Sequence, residues 1–222
     1  MTSIVIFDTI GKISIKGLNS LINNNFKGEI NKMAIYIALL RGINVGGKNK
    51  IKMFDLKHMF ESMGINQVQT YIQSGNVIFQ SEEDEDFLRV RIEHEIKSIF
   101  GFEVNVVLRT SAELEYISLN CPFSEKEVSE AKSSSELEIL YVSLLIQSPA
   151  QDGIQRLNAY RTESDEYQIQ GREVFLLLRH GIRNSKLANN LQKLGVTGTM
   201  RNWKTITKLH ALAKDMERRN EK

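Results

Sequence analysis

The chain has 222 residues, 41% hydrophobic and 25% charged, a composition that supports a folded core and excludes intrinsic disorder. Its 29 lysines and arginines stand against 27 acidic residues; the formal charge of +2 makes no field that argues for nucleic-acid or membrane partners, so any basic site must be local. A single cysteine, Cys121, allows no internal disulfide, His58, His94, His180 and His210 are scattered without metal-ligand spacing, and no run approaches the ~18 to 20 apolar residues of a membrane span, so a cytoplasmic protein without metal or cofactor is expected.

Residues 1–32 make a poor signal peptide, because Asp8 interrupts the apolar start and no basic region precedes it. Their Ile, Asn and Lys bias differs from that of the remaining chain, and Met33 stands directly before the first strong strand. Two expectations stay open. Either translation begins at Met33 and residues 1–32 are a non-native or poorly ordered extension, or Ile4 to Phe7 and Lys12 to Ile15 build a small β-rich appendage.

From Met33 the elements come in regular order. Ile35 to Leu40 is an apolar run too short for a helix and predicts a buried strand. After a glycine-rich basic loop, Leu56, Met59, Phe60 and Met63 fall at helical spacing from Met53, with Gly64 as a stop. Val68 to Gln73 and Val77 to Gln80 read as strands of a hairpin turning through Ser74, Gly75 and Asn76, since glycine accepts the positive φ of a tight turn. A second helix carries Leu88, Ile92, Ile96 and Ile99 on one face. Val104 to Leu108 is a strand, and Thr110 with Glu113 forms a capping box that opens a third helix towards Asn120.

Residues 121–137 break the rhythm. Pro122 ends the helix, Ser124 with Glu127 caps a short extra one, and Ser133 to Ser135 read as a linker. The pattern then recurs. Ile139 to Ile146 is strand-like, Ile154 and Leu157 mark a helix, and Glu166 to Gln170 with Val174 to Leu178 make a hairpin around Gly171 and Arg172. Leu187, Ala188, Leu191 and Leu194 read as one helix face, Val196 to Arg201 as a short strand, and a last helix runs from Trp203 with Ile206, Leu209, Ala213 and Met216 inward. The predicted fold is α+β, with two tandem ferredoxin-like (β-α-β-β-α-β plus helix) halves at 33–120 and 138–222 joined by the linker at 121–137.

Three stretches carry a family likeness: Tyr36 through Lys50 (YIALLRGINVGGKNK), Thr70 to Asn76 (TYIQSGN), and Arg201 to Trp203 (RNW) with Thr205 and Lys208. Together they resemble the bacterial family called domain of unknown function 1697, from about Met33 to the last helix. That start favours translation from Met33. Cys121 departs from the family's Asn-Pro-Phe run. The resemblance implies no activity, substrate or catalytic residue.

The loop from Arg41 to Lys52 is the most informative feature. It spans about a dozen residues where ~2 to 6 are usual, and its counterpart in the second half, Gln147 to Pro149, is minimal. Gly42, Gly46 and Gly47 allow backbone N–H groups to converge, and Lys48, Lys50 and Lys52 add charge ahead of a helix N-terminus, the ingredients of an anion site. Gly42 to Lys48 even has P-loop spacing, but Asn49 stands where that motif needs Ser or Thr. The plainer alternative is a glycine-stabilised surface loop with solvated lysines. Arg41 and Asn44, at the end of the first strand, either face a ligand or tie down the loop's carbonyls. The Ser74–Asn76 hairpin is expected at the opposite end of the sheet from this loop.

A second basic cluster, Arg179, His180, Arg183 and Lys186 around Gly181, is either another anion site or a solvated loop; His180 is an acid or base with no nucleophile paired to it. Asn202 suits an N-cap, and Trp203 reads as packed between helix and sheet. The favoured function is binding of, or action on, a phosphorylated or carboxylated small molecule at Arg41, Gly42, Asn44, Gly46, Gly47 and Lys48, with His180, Arg183, Lys186, Arg201, Asn202 and Trp203 as secondary candidates. A nucleic-acid module ranks lower, because the sheets lack the aromatic signature of an RNA-binding domain. The third reading is an assembly protein whose motifs lock two halves together. Oligomeric state is not legible.

Overall fold

The chain divides into two units, Met1–Lys32 and Met33–Lys222. In this computed structural model the second unit is described over residues 33–133 and 137–220. The expectations for residues 1–32, and for Ser134 and Ser135, lie outside the described residues.

The first four-stranded sheet has the order β2-β3-β1-β4, built from β1 (Ala34–Leu40), β2 (Asn66–Tyr71), β3 (Asn76–Ser81) and β4 (Val106–Thr110). The second repeats it as β6-β7-β5-β8, with β5 (Leu140–Leu145), β6 (Asp165–Gln170), β7 (Glu173–Leu178) and β8 (Gly198–Asn202). All neighbours are antiparallel, so the protein is α+β with two similar halves.

One face of the first sheet, with Tyr36, Ala38, Leu40, Val77 and Phe79, packs on α1 (Met53–Ser62) and α2 (Glu85–Phe100). The matching face of the second sheet, through Leu145, Val174, Leu176 and Leu178, packs on α5 (Gln151–Asn158) and α6 (Lys186–Asn189). Alternation along each strand then sends Ile35, Ile37 and Leu39, and likewise Leu140, Val142 and Leu144, to the opposite faces. There they share one core with α3 (Ser111–Leu119) and α7 (Trp203–Asn220), which pack on each other. The two sheets are thus joined through a common hydrophobic layer containing Ile117, Ile206, Leu209 and Ala213.

Local signals act as expected at several helix starts. Thr110 accepts from the Glu113 amide while Glu113 accepts from the Thr110 amide. Ser124 and Glu127 make the same reciprocal pair before α4 (Glu125–Ser133), and Asn202 Oδ1 accepts from the Thr205 amide 2.9 Å away at the start of α7. The single helix face expected from Leu187 to Leu194 is instead broken. Ser185 caps only the short α6, Asn190 leaves helical geometry at φ −114°, and Leu191–Leu194 turns as a 3-10 helix ended by the left-handed Gly195. Leu187 and Leu194 still reach the same core.

Candidate functional site

The edge strands β4 and β8 each carry one buried arginine, and the pair is related by the repeat of the fold. Arg109 stands opposite Ile37 on β1, and Arg201 opposite the equivalent Val142 on β5. Each reaches out of its own half. Arg109 Nη2 donates to Leu145 O (2.8 Å), at the end of β5, and to Arg172 O (3.4 Å) in the second hairpin. Arg201 Nη2 donates to Leu40 O (2.9 Å), at the end of β1, and to Ser74 O (2.9 Å) and Gly75 O (3.3 Å) in the first hairpin. Leu40 O and Gly75 O correspond across the repeat to Leu145 O and Arg172 O, and Ser74 O is an additional contact of the Arg201 clasp. The result is a reciprocal clasp in which each half's edge strand holds the other half's central strand and hairpin together.

The two clasps differ at one equivalent position. Arg109 Nε donates to the Glu173 carboxylate at 2.8 Å, whereas Arg201 Nε donates to the neutral amide oxygen of Asn76 at 2.6 Å. Glu173 and Asn76 are the first paired residues of β7 and β3 and face Leu144 and Leu39 in register. Burial pushes the Arg109 guanidinium down and Glu173 pulls it back up. Arg201 has only the first influence, which pushes it down to about 10, so it remains a cation at neutral pH with no carboxylate beside it.

Acidic residues crowd the Glu173 end further. Arg172 lies between Glu85 (2.6 and 2.8 Å) and Glu113 (2.6 Å), and these bonds push its pKa up. Burial raises Glu113, but the Thr110 amide and Arg172 outweigh it and leave the carboxyl below its ordinary value. A depressed acid contributes stability above its unfolded pKa of about 4.3, lost as pH falls through the folded value. Glu113→Gln is therefore expected to melt lower than the parent at pH 7 and to converge with it near pH 2, measured by thermal scans across that range.

Beside Arg201 a cleft of about 540 Å³ opens between the halves. Leu40, Arg41, Gly42, Ile43 and Ser74 form one wall, and the segment from Ala188 to Arg201 with Ser143 and Leu145 supplies the other. Its cations are Arg41 and Arg201, and no Asp or Glu among the described residues lines it. The Arg41 guanidinium is exposed and has no ion pair or side-chain hydrogen bond among the described residues, while its amide donates to Asn105 O (2.9 Å). Gly75 shapes the wall from behind: at φ +72° it lies so close that a Cβ would sit 2.7 Å from Ile43 Cδ1.

The expected location of the first hairpin is corrected by strand pairing. β1 and β3 run antiparallel with Leu39 opposite Asn76, so the hairpin and the Arg41 loop lie at the same end of the sheet. Asn44 bonds the two together. Its Nδ2 donates to Gln73 O and Ile51 O, both at 2.9 Å, and its Oδ1 accepts from the Ile51 amide at 2.9 Å. Of the two roles foreseen for Asn44, tying down the loop is the one its geometry takes.

In the rest of the loop the amides of Asn44 and Lys48 are engaged by the loop's own carbonyls. Val45 and Lys48 close a small turn, with Lys48 N donating to Val45 O (3.2 Å) and Asn44 N to Asn49 O (3.1 Å), and Gly46 and Gly47 supply its positive φ angles of 59° and 77°. Lys48 and Gly46 line neither the cleft nor a neighbouring cavity of about 810 Å³, which Gly47 and Asn44 border beside Phe54 and Lys50. His180, Arg183 and Lys186 come after the far end of β7, outside the cleft, and Arg179 is paired with Glu166 at 3.2 Å. Trp203, partly buried at the start of α7, packs against the core with its ring 6.4 Å from that of Phe175 on β7.

Sequence reasoning overlooked Arg109, Glu173 and the acceptor role of Asn76. One signal was present: in Val106 to Thr110, Arg109 shares strand parity with the buried Val107, a polar residue where the pattern demands an apolar one.

Among the described residues no group of three or more His, Cys, Asp or Glu is placed to hold a metal ion, and no helix is long and apolar enough to cross a membrane. The family model described as "Protein of unknown function (DUF1697)" matches residues 33–175. A solved structure, that of the conserved bacterial protein SP0830 from Streptococcus pneumoniae, is similar with a TM-score of 0.60 at 22% identity, covering 82% of this chain and 99% of that one. That likeness is one of fold. A comparison with curated proteins finds no match.

Proposed function

We propose that this chain, which belongs to the DUF1697 family, binds a small phosphorylated or carboxylated molecule in the cleft between its halves. The observation that carries the reading is the difference between the clasps. At one end a carboxylate answers the buried guanidinium; at the other, where the cleft opens, Asn76 leaves Arg201 uncompensated. At an effective dielectric of ~20, such a charge attracts an anion ~6 to 8 Å away by about 2–3 kcal/mol. Arg201 cannot grasp the ligand itself, because its donors are already engaged. The contact falls to Arg41, exposed and free to form a bidentate pair, on the wall that Ser74 also lines. A reducing, cytoplasmic setting accords with the lone Cys121.

Inorganic phosphate is the probe that tests this. Its binding to the native state is expected to raise the melting temperature of the parent by mass action. Arg41→Ala is expected to fold normally and to weaken phosphate binding at least tenfold, while Lys48→Ala leaves it unchanged. Equal phosphate-induced shifts in the parent and Arg41→Ala overturn the assignment.

The full set of protein partners around Arg201 favours a second reading, in which the clasps serve only to join the halves. On that reading phosphate shifts neither protein.

A further inference from the structure

We infer that the occupant of the cleft is a single-headed acid, one phosphate or carboxylate on a mainly apolar body, and not a polyphosphate. The inference rests on the anion reading above and concerns what else the ligand must be. Two features of the walls carry it.

The first is the count and placement of charge. Arg41 alone among the cleft's cations has uncommitted donors, and Arg201 contributes a field without a free N–H. A guanidinium fork pairs with one phosphate or carboxylate through two parallel bonds. A chain of phosphates would bring several charges to that single fork, and the lysines that would meet the others are elsewhere: Lys48 outside the cleft, Lys50 and Lys52 on the neighbouring cavity.

The second is the opposite wall. Ala188, Leu191, Val196 and Met200 all line the cleft and, while packing against the core of the second half, are only partly buried, which leaves apolar surface on this wall. Gly198 lets β8 lie close against β5 at the base of this wall, since a Cβ there would lie 2.5 Å from Leu145 Cδ2 and 2.8 Å from Leu144 O. The wall's neutral polar side chains are Ser143, Gln192, Thr197 and Thr199, interspersed among the apolar ones. A wall of that kind gains free energy from an apolar body and offers no free cation to further anionic groups.

The experiment compares four probes on the full chain by calorimetric titration: inorganic phosphate, phenyl phosphate, phenol and ATP with chelator. Covering roughly 60 Å² of ring surface corresponds to about tenfold in affinity. Phenyl phosphate is therefore expected to bind about tenfold more tightly than inorganic phosphate and more tightly than ATP, with phenol weaker than both phosphates. Leu191→Ser is expected to shrink the ratio of phenyl phosphate to inorganic phosphate affinity towards one; Val196→Ser does the same from a neighbouring position, and thermal scans confirm that each is folded. If phosphate binding depends on Arg41 but phenyl phosphate binds no more tightly, or ATP binds most tightly, the single-headed ligand is overturned and the anion site stands. If no probe shows Arg41-dependent binding, both fall.

Discussion

Arg201→Ala is expected to lower the unfolding free energy by about 3–5 kcal/mol, read from urea denaturation at neutral pH. The planar fork of this side chain meets Asn76 Oδ1, Thr199 Oγ1, Met200 O, Leu40 O and Ser74 O, at distances from 2.6 to 2.9 Å. Truncation removes these bonds and leaves a cavity against β1 and the first hairpin. The penalty is not the sum of all the contacts. Gly75 O keeps the Leu40 amide as donor, at 2.8 Å, and eliminating a buried charge recovers part of its desolvation cost. The remainder is the cost of orphaning Leu40 O, Ser74 O and Asn76 Oδ1 in a buried setting, at about 1–3 kcal/mol for each that finds no water. Arg201→Lys is expected to recover little, since an ammonium cannot serve acceptors spread around a flat guanidinium. Arg201→Met separates the two contributions by refilling volume without restoring donors. A loss below about 1 kcal/mol in the alanine variant would mean that Arg201 does not hold the halves together.

The range of each interaction decides whether it can be read in the sequence. The capping boxes at Thr110 with Glu113 and Ser124 with Glu127 span three residues, so their chemistry is written in adjacent positions. The order of strands and helices is set by local periodicity, which is why the two antiparallel sheets match the pattern expected of ferredoxin-like halves. The clasps are another matter. Arg109 and Glu173 are 64 positions apart, and Arg201 and Asn76 are 125 apart, so neither pairing leaves a local trace.

The glycine-rich loop shows the same limit in a different form. Its composition suits both an anion cradle and a stapled turn, because glycine at positive φ serves either. Asn44, through its bonds to Ile51 and Gln73, ties the loop to the hairpin, and Lys48, closed into a turn with Val45, is not among the residues that line the cleft. Arg41 and Arg201, in contrast, are separate candidates in the sequence, and the strand registers place both on one concavity. The misplaced hairpin has one cause: its end of the sheet is set by antiparallel pairing of β1 with β3, not by element order alone.

Glu173→Ala and Glu173→Gln are expected to separate by about 2–3 kcal/mol, the alanine variant losing about 3–5 and the glutamine variant about 1–2. Alanine leaves the fully buried Arg109 with neither a countercharge nor an acceptor at Nε, the circumstance that makes breaking a buried ion pair expensive. Glutamine removes only the charge. The protein itself indicates that this is tolerable, because Arg201 occupies the equivalent position with an amide oxygen at Nε, and the Thr199 hydroxyl and backbone carbonyls for its remaining donors. Glu173→Gln would therefore rebuild the first clasp in the image of the second. Denaturant titrations of both variants at one ionic strength supply the test. Equal losses would show that a buried guanidinium in this fold needs an anion and not merely an acceptor, and the charge at Arg201 would then have to be met by a ligand. A small loss for glutamine instead shows that the Asn76 clasp is stable without an occupant, so that its uncompensated charge is free to act on whatever enters the cleft.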